Sequence, residues 1–372
     1  MAQSGLPAES AIVARRRPTD TIPFTKSPNH QIFNSVRLTR VGGGCDNDRL
    51  MPFPTGGVYV TGNMVLDILV RPVEAMPPWG TTTMVETIAQ QAGGNGAITA
   101  YALGKLGAPA RLAGTVGADA FGEYILERLR AAGVDLSEVR VTPDAQTATT
   151  TGLINSRGER LFLHALGASG VVEPEQIRLD AESIRGFSYF HFASVFNLPK
   201  MRAGGAALLE RARAAGLFTS ADTMWDVTGL WIRDFAAFCP HIECLFVNQD
   251  EARMLAGSAE PAAVGRFFRD HGVGLVVLKM GERGCAVLGA GETLLVPAFA
   301  VEVVDTTGAG DCFCGGFLAA LRRGFPLRGA ARFANAVAAQ SIRHLGGTSG
   351  AAGFDETVEW MGRIPEREVS PS

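Results

Sequence analysis

The sequence predicts an α/β protein with a central, mainly parallel sheet, helices on both of its faces, and a small separate β-sheet. Three observations predict this fold. Strand-like runs alternate with helical runs from residue 58 almost to the end of the chain, and two pairs of strand-like runs have no helix between them. Hydrophobic residues make up 47% of the 372 residues, which is ordinary for a folded chain with a large core. Alternating strands and helices imply right-handed crossovers between parallel strands.

The core elements follow in chain order. Regular structure is expected to begin at Val58, and five apolar runs predict buried strands at residues 110–113, 189–193, 217–220, 244–247 and 275–278. Helices are predicted at residues 97–106, 121–132, 201–215, 250–255, 262–271, 310–323 and 327–345. The main domain is predicted to span residues 56–364. Residues 1–55 lack sustained periodicity and are expected to be a mostly disordered extension, and residues 365–372 a tail.

Two stretches predict the small sheet. Residues 65–72 and 81–88 resemble strands without an intervening helix, and residues 147–154 and 160–164 resemble a hairpin. Strands inserted into an α/β domain can project from the carboxyl edge of the core as a lid, which we expect from about residues 64–90 and 147–166. Because a lid with an exposed apolar face is poorly stable alone, we expect a homodimer formed through the lids.

Charge and cysteine content exclude several classes of function. With 34 Lys and Arg against 37 Asp and Glu, the net charge of −3 offers no basic field for nucleic acid. No uncharged apolar stretch reaches the ~18 residues that cross a bilayer, so we expect no membrane partner. Six cysteines are too sparse for a disulfide scaffold, and Arg15-Arg16-Arg17 is not followed by an apolar run as in a secretory signal. We therefore expect a cytoplasmic protein.

Residues 305–311, Asp-Thr-Thr-Gly-Ala-Gly-Asp, carry the sharpest chemical signal. They follow a β-rich run at residues 301–304 and open a helix. Glycines let the backbone approach a ligand, and the N–H groups and positive dipole end of a helix bind anions, phosphate above all. A carboxylate at Asp311 then suits a base that accepts a proton from an attacking hydroxyl during phosphoryl transfer. The alternative is that Asp311 only caps the helix.

A second signature lies far upstream, in Ala92-Gly93-Gly94-Asn95-Gly96-Ala97 and the glycine-containing stretches at residues 103–107 and 114–119. Two such signatures in this order resemble the ribokinase-like (PfkB-type) carbohydrate kinase family over roughly residues 56–350. The resemblance implies a three-layer α/β/α core with a β-sheet lid. It also implies transfer of the γ-phosphate of ATP to a hydroxyl, most simply the primary hydroxyl of a furanose-like sugar. The alternatives are a nucleoside kinase of the same family and a non-catalytic relative that binds nucleotide or sugar.

The resemblance also implies roles for single residues. Asp311 corresponds to the catalytic base, and Gly308, Ala309 and Gly310 to the anion hole. The predicted sugar-binding residues are Asp67, Gly93, Gly94 and Asn95, and His164 is a candidate for the lid side of the pocket or an ordinary strand residue. One departure from the family is Ile98, which stands where relatives often have a second Asn and so disfavours ribose as the acceptor.

On the nucleotide side, the resemblance assigns ATP contacts to Asn248, Lys279, Gly281, Gly284 and Asn335. Glu251 corresponds to a carboxylate that helps place hydrated Mg²⁺ through water. Asn248 and Glu251 also fit a helix capping box, and the two interpretations are compatible. Asp305 and Thr307 correspond to a loop where many relatives bind a monovalent cation such as K⁺, together with carbonyl groups from residues 342–347.

Overall fold

The structure is a computed structural model, and it describes residues 53–289 and 293–367. Most of the predicted extension, residues 1–52, therefore lies outside the described part, as do residues 368–372 of the predicted tail. The described ends of both segments contact the core. Phe53 packs edge-on against Phe218 with ring centroids 5.6 Å apart. The backbone N–H of Arg367 donates to the carbonyl of Ala298 at 2.7 Å.

Thirteen strands and nine α-helices are formed by the described residues. The strands are β1 (Gly57–Thr61), β2 (Val65–Arg71), β3 (Thr87–Gly93), β4 (Ala110–Gly117), β5 (Asp135–Thr142), β6 (Ala148–Ile154), β7 (Arg160–Ala165), β8 (Phe187–Phe192), β9 (Phe218–Asp222), β10 (Cys244–Asn248), β11 (Leu275–Lys279), β12 (Cys285–Leu288) and β13 (Thr293–Val296). The helices are α1 (Asn95–Lys105), α2 (Ala120–Ala131), α3 (Pro199–Ala214), α4 (Ile232–Phe235), α5 (Gln249–Ala256), α6 (Pro261–Asp270), α7 (Ala309–Leu321), α8 (Leu327–Ser341) and α9 (Phe354–Met361). Within the described ranges, no helix is long and apolar enough to cross a membrane.

The core is a nine-stranded sheet in the order β13-β12-β11-β10-β9-β8-β1-β4-β5. Neighbouring strands pair in parallel along the part of this order that runs from β11 to β5. Strands β12 and β13 are antiparallel additions at the other edge. The predicted α/β fold with a mainly parallel sheet is therefore confirmed. The chain places β4 and β5 on one side of β1 and the later strands β8 to β13 on the other, so the strand order reverses at β1. In open parallel sheets, ligands bind at the carboxyl ends of the strands beside such a reversal.

Some predicted boundaries are wrong. The last long helix ends at Ser341 rather than residue 345, because Arg343 bonds to the carbonyl of Gln340 at 3.3 Å and the chain tightens into turns there. Residues 301–304 are not a strand. The backbone N–H of Val304 instead donates to the carbonyl of Ile342 at 2.8 Å, so this stretch joins the loop after α8.

A separate four-stranded sheet, in the order β3-β2-β6-β7, forms the predicted lid. The strand predicted at residues 81–88 lies later, at β3, and extends to Gly93 rather than residue 90. Its position is set by β2, whose residues pair one for one from Val65 with Gly93 to Arg71 with Thr87. Pro72 follows Arg71 and has no N–H to continue the ladder, so the pairing stops there.

Candidate active site

The amino end of α7 is shaped by glycine. Gly308 precedes the helix with φ of 72°, in the left-handed region that favours glycine. A Cβ at this position would lie 2.7 Å from the Cα of Gly347 and 2.9 Å from a methyl group of Ile98. Ile98 thus packs against the loop before α7. The first turn of α7 contains Ala309, Gly310 and Asp311. The N–H of Ala309 donates weakly to the carbonyl of Thr306 at 3.3 Å. The N–H groups of a helix's first turn have no carbonyl partner within the helix, so this end of α7 suits an anion.

Asp311 is buried in the first turn of α7 and joins the two sequence signatures. The side-chain amide of Asn95, the first residue of α1, donates to Asp311 Oδ1 at 2.8 Å. Burial, together with the charge of Asp222, raises the pKa of Asp311, while Lys279 and Asn95 oppose the rise, and the resulting pKa is about 7. A carboxyl group with a pKa near neutrality is suited to proton transfer at physiological pH.

The predicted sugar-binding residues meet where β2 and β3 reach the core. A Cβ at Gly93 would lie 1.9 Å from Asp67 Oδ2, so only glycine leaves room for this carboxylate. Gly94 has φ of 92°, and a Cβ there would lie 2.7 Å from the carbonyl of Asn63. Burial raises the pKa of Asp67, the hydroxyl of Thr150 opposes the rise, the charge of Asp305 adds to it, and the resulting pKa is about 7.

Asp67 belongs to a row of polar side chains across the lid. In the sheet register Asp67 pairs with Gln91 on one side and Thr150 on the other, and Thr150 pairs with His164. The Thr150 hydroxyl lies 2.9 Å from His164 Nδ1, and partial burial lowers the pKa of His164. The sequence analysis missed Gln91 and Thr150, since only the strand register shows that they flank Asp67.

The five predicted ATP-binding residues surround one cavity of about 420 Å³. Two residues of the predicted anion hole, Ala309 and Gly310, line the same cavity. Much of the remaining wall is apolar, which suits the flat face of a base. The apolar lining residues are Ala298, Phe299, Val301, Val303, Phe313, Ala338, Ala339 and Ile342. At the far wall, the amide nitrogen of Asn335 donates to the carbonyls of Val296 and Pro297 at 3.1 and 2.9 Å.

Lys279 brings a positive charge close to the predicted anion hole. Its ammonium donates to Asp222 Oδ1 at 2.7 Å, and a Cβ at Gly310 would lie 3.1 Å from it. Burial lowers the pKa of Lys279, but the carboxylate of Asp222 more than offsets this and holds the pKa above its ordinary value. The ammonium is therefore charged. The sequence analysis gave Asp222 no role in the site. Its place at the carboxyl end of β9 could have pointed to it, because ligands bind at the carboxyl ends of parallel strands.

Asn248 and Glu251 form the predicted capping box at the start of α5. Asn248 Oδ1 accepts from the N–H of Glu251 at 2.9 Å, and Glu251 Oε2 accepts from the N–H of Asn248 at 3.1 Å. Glu251 Oε2 also accepts from the hydroxyl of Thr223 at 2.7 Å, and burial raises its pKa to about 7. Within residues 53–289 and 293–367, no three His, Cys, Asp or Glu side chains converge as a ready metal site.

Asp305 and Thr307, predicted as ligands of a monovalent cation, lie in the loop before α7. Asp305 Oδ1 accepts from the N–H and the hydroxyl of Thr307 at 3.0 and 2.8 Å. Arg160, the first residue of β7 in the lid, contacts both side chains. Nothing in the local sequence signalled this contact, because Arg160 and Thr307 are 147 residues apart.

The sequence and fold match known proteins over most of the chain. The chain is 32% identical over 292 residues to the ATP-dependent ribose-1-phosphate kinase of Halopiger xanaduensis, which covers 78% of this chain and 94% of the relative. It is 29% identical over 301 residues to the ribokinase of Mus musculus, with 78% and 90% covered. The Arabidopsis thaliana ribokinase complexed with ribose and ATP superposes with a TM-score of 0.73 at 26% identity, over 82% of this chain and 99% of that one.

The sequence model for the pfkB family of carbohydrate kinases matches residues 60–352. That match spans well over half of the chain, so the predicted resemblance is confirmed, and the chain belongs to the pfkB family of carbohydrate kinases.

Proposed function

We propose that this kinase transfers the γ-phosphate of ATP to the primary hydroxyl of a furanose-like sugar. The hydrogen bond from Asn95 to Asp311 carries the proposal, because it puts the candidate base at the junction of two regions. On one side lie Asp67 and Gly93, and on the other the cavity lined by Lys279. A base between an acceptor site and a nucleotide site is the arrangement that phosphoryl transfer requires.

In the proposed reaction, the carboxylate of Asp311 takes the proton of the acceptor hydroxyl. The acceptor oxygen forms a bond to the γ-phosphorus while the bond to the β,γ-bridging oxygen breaks, and ADP leaves with that electron pair. The N–H groups at the start of α7, from Gly308 to Gly310, stabilise the charge on the transferring group, and the ammonium of Lys279 adds a full positive charge beside them.

Mg²⁺ is proposed to enter with the nucleotide. It neutralises phosphate charge when bound, and it keeps several waters, so few direct protein ligands are needed. The buried carboxylate of Glu251, held by Thr223 and the N–H of Asn248, fits a ligand that acts through such waters. We do not include K⁺, because the guanidinium of Arg160 already lies on Asp305 and Thr307.

We further propose that the protein is a homodimer formed through the lids. Among the described strands β7 pairs with β6 alone, and three consecutive apolar side chains on it are exposed: Leu161, Phe162 and Leu163. Ile88 on β3 is also 67% exposed, and such a patch on an edge strand favours pairing with a second copy. Phe162→Ser should convert a dimer to a monomer in light scattering, whereas a wild-type monomer would refute the proposal.

We also propose a cytoplasmic location, since the five described cysteines are all free thiols.

An acceptor panel tests the proposed activity. ADP release from Mg·ATP is measured with ribose, fructose, ribose 1-phosphate and nucleosides, alone and in parallel with Asp311→Asn. A neutral furanose is expected to stimulate ADP release in the wild type and not in the variant. Stimulation by nucleosides alone would instead establish the nucleoside-kinase alternative. No stimulation by any acceptor, with ATP still bound, would favour the non-catalytic alternative.

A further inference from the structure

A buried ion pair joins the lid to the loop before the anion hole. Arg160 Nη2 lies 2.8 Å from Asp305 Oδ1, and Arg160 Nη1 donates to the hydroxyl of Thr307 at 3.1 Å. The Asp305 side chain is 2% exposed and the Arg160 side chain 24%. A carboxylate this buried needs a positive partner, since a lone buried charge is strongly unfavourable. In the described part of the chain, Arg160 is the basic side chain that ion-pairs with Asp305.

The Asp305 carboxylate also organises the loops around the anion hole. Oδ1 accepts from Thr307, and Oδ2 accepts from the backbone N–H of Gly346 at 2.8 Å. Gly347, the next residue, packs against Gly308, whose left-handed conformation starts α7. The position of the anion-hole loop therefore depends on Asp305, and Arg160 supplies the positive charge that pairs with the Asp305 carboxylate.

Three of the carbonyl groups predicted to bind a monovalent cation already accept hydrogen bonds within the protein. The carbonyl of Ile342 accepts from the N–H groups of Val304 and Asp305 at 2.8 and 3.1 Å. The carbonyl of Leu345 accepts from Gln91 Nε2 at 2.8 Å, and that of Gly347 from the thiol of Cys312 at 3.2 Å. With the guanidinium on Asp305 as well, these residues do not fit an additional monovalent cation.

We propose that Arg160 takes the place of a monovalent cation, acting as a positioning residue that neutralises Asp305 and orders the anion-hole loop without K⁺. Arg160 lies on the lid sheet that also carries Asp67, so the same sheet presents the acceptor-binding carboxylate and the counter-charge. Closing the lid thus orders the phosphate-binding loop. This inference rests on the proposed kinase activity for its kinetic test, but not for its stability test.

The kinetic test compares K⁺ with tetramethylammonium at matched ionic strength. Wild-type kcat should be equal in the two salts. In Arg160→Gln the anion-hole loop loses its counter-charge, and kcat in tetramethylammonium should fall roughly ten- to a hundredfold, the range expected when a catalytic loop is misplaced. K⁺ should restore most of that loss by occupying the vacated position. The matched control is Arg157→Gln in the same hairpin, since the Arg157 side chain is 75% exposed and pairs with the exposed Glu159. This variant should behave as wild type in both salts.

The stability test needs no activity. The melting temperature of Arg160→Gln should rise with K⁺ concentration, as for any ligand that binds the folded state, while that of the wild type should not respond. Asp305→Asn combined with Arg160→Gln removes the charge that K⁺ would bind and should abolish the response. If Arg160→Gln does not fold, Arg160→Lys keeps the charge and should retain K⁺-independent activity and melting.

Several results would overturn the proposal. K⁺ stimulation of the wild type, or stabilisation of it by K⁺, would place the cation at Asp305 despite Arg160. An Arg160→Gln enzyme with wild-type rate and no cation response would show that the counter-charge is not needed. A loss of activity restored by neither K⁺ nor Arg160→Lys would also refute a charge role. A wild type without kinase activity on any acceptor would refute the proposed function, while the melting experiments would still decide the role of Arg160.

Discussion

The two halves of the candidate site are held in different ways. The nucleotide half is the cavity around Asn248, Lys279 and Asn335, at the ends of β10 and β11 and on α8, all parts of the core. The acceptor half contains Asp67, whose strand β2 pairs only with the lid strands β3 and β6. One half therefore belongs to a nine-stranded sheet and the other to a sheet of four strands.

Two buried ion pairs lie beside the candidate site, and they too are held in different ways: one lies within the core sheet, and the other joins the lid to the core. Lys279 and Asp222 end β11 and β9, which flank β10, so their 2.7 Å contact is set by the register of the core sheet. Arg160 and Asp305 join the lid to the core, so their 2.8 Å contact depends on where the lid lies. We expect the nucleotide half to be preorganised and the acceptor half to be completed by lid closure.

Asp311 stands between the halves, and its substitution should have the largest effect. General-base catalysis supplies about 10²–10⁴-fold, so Asp311→Asn should lower kcat at least about a hundredfold. The amide keeps the shape of the carboxylate and can still bond with Asn95, so the KM values for ATP and acceptor should change less than about threefold. Steady-state kinetics with both substrates varied checks this. A wild-type kcat would remove Asp311 from the chemistry, and a collapse of either affinity would assign it to one half.

The sequence predicted the core, and it pointed to candidate residues for both halves, because both depend on local patterns. Buried parallel strands are short apolar runs, and the glycines at positions 93, 94 and 308 are required by backbone conformation or close contacts that a motif records. The half-exposed edge strand β5 and the four-residue strands β12 and β13 were missed, since their alternation is weak or too short to recognise.

The contacts missed in the site share a different cause. Thr150 flanks Asp67 only through the pairing of β2 with β6, and Arg160 reaches Asp305 only when the lid is folded onto the core. Such contacts depend on register and on the packing of sheets, neither of which local spacing encodes. The long-range ion pairs of the candidate site could therefore not be predicted from the sequence, whereas its glycines and the candidate base carry local motifs.

The acceptor half should respond selectively to Asp67→Ala. Loss of a charge-assisted acceptor of about 1.5–3 kcal/mol should raise the KM for the sugar about ten- to a hundredfold, with the KM for ATP nearly unchanged. Gly93→Ala should mimic the loss, because its Cβ would lie 1.9 Å from Asp67 Oδ2 and displace the carboxylate. Glu86→Ala, an exposed carboxylate before β3, is the matched control and should leave both constants unchanged. A raised KM for ATP with normal sugar affinity would reverse the assignment of the two halves.

The nucleotide half should respond selectively to Lys279→Met. Removing the ammonium beside Gly310 should raise the KM for ATP about tenfold. This is the lower end of the range for a charge-assisted hydrogen bond, and we expect the lower end because Asp222 already neutralises part of the charge of Lys279. The sugar KM should not change. Lys279→Met alone leaves the Asp222 carboxylate unpaired, and the double variant Asp222→Asn/Lys279→Met removes that carboxylate as well. The double variant should show the same rise in the KM for ATP. If the double variant regains wild-type ATP affinity, Lys279 serves to neutralise Asp222 and does not contact phosphate.

The smallest expected effect is a shift in pH dependence that reports on the junction between the halves. The carboxylate form of Asp311 is the base, so kcat/KM for the acceptor should rise with pH through about 7 and be lost below it. Asn95 donates to this carboxylate and favours its charged form, so Asn95→Ala should raise the pKa of Asp311. A bond of about 1.4 kcal/mol corresponds to one pKa unit, and the rising limb should therefore move up by about one pH unit. Thr99→Val is the matched control, because Thr99 bonds at 3.3 Å only to the backbone carbonyl of Asp311 and should leave the limb in place. Measured from pH 5.5 to 9, an Asn95→Ala profile that is lowered equally at every pH would mean that Asn95 acts on the acceptor directly and does not tune the base.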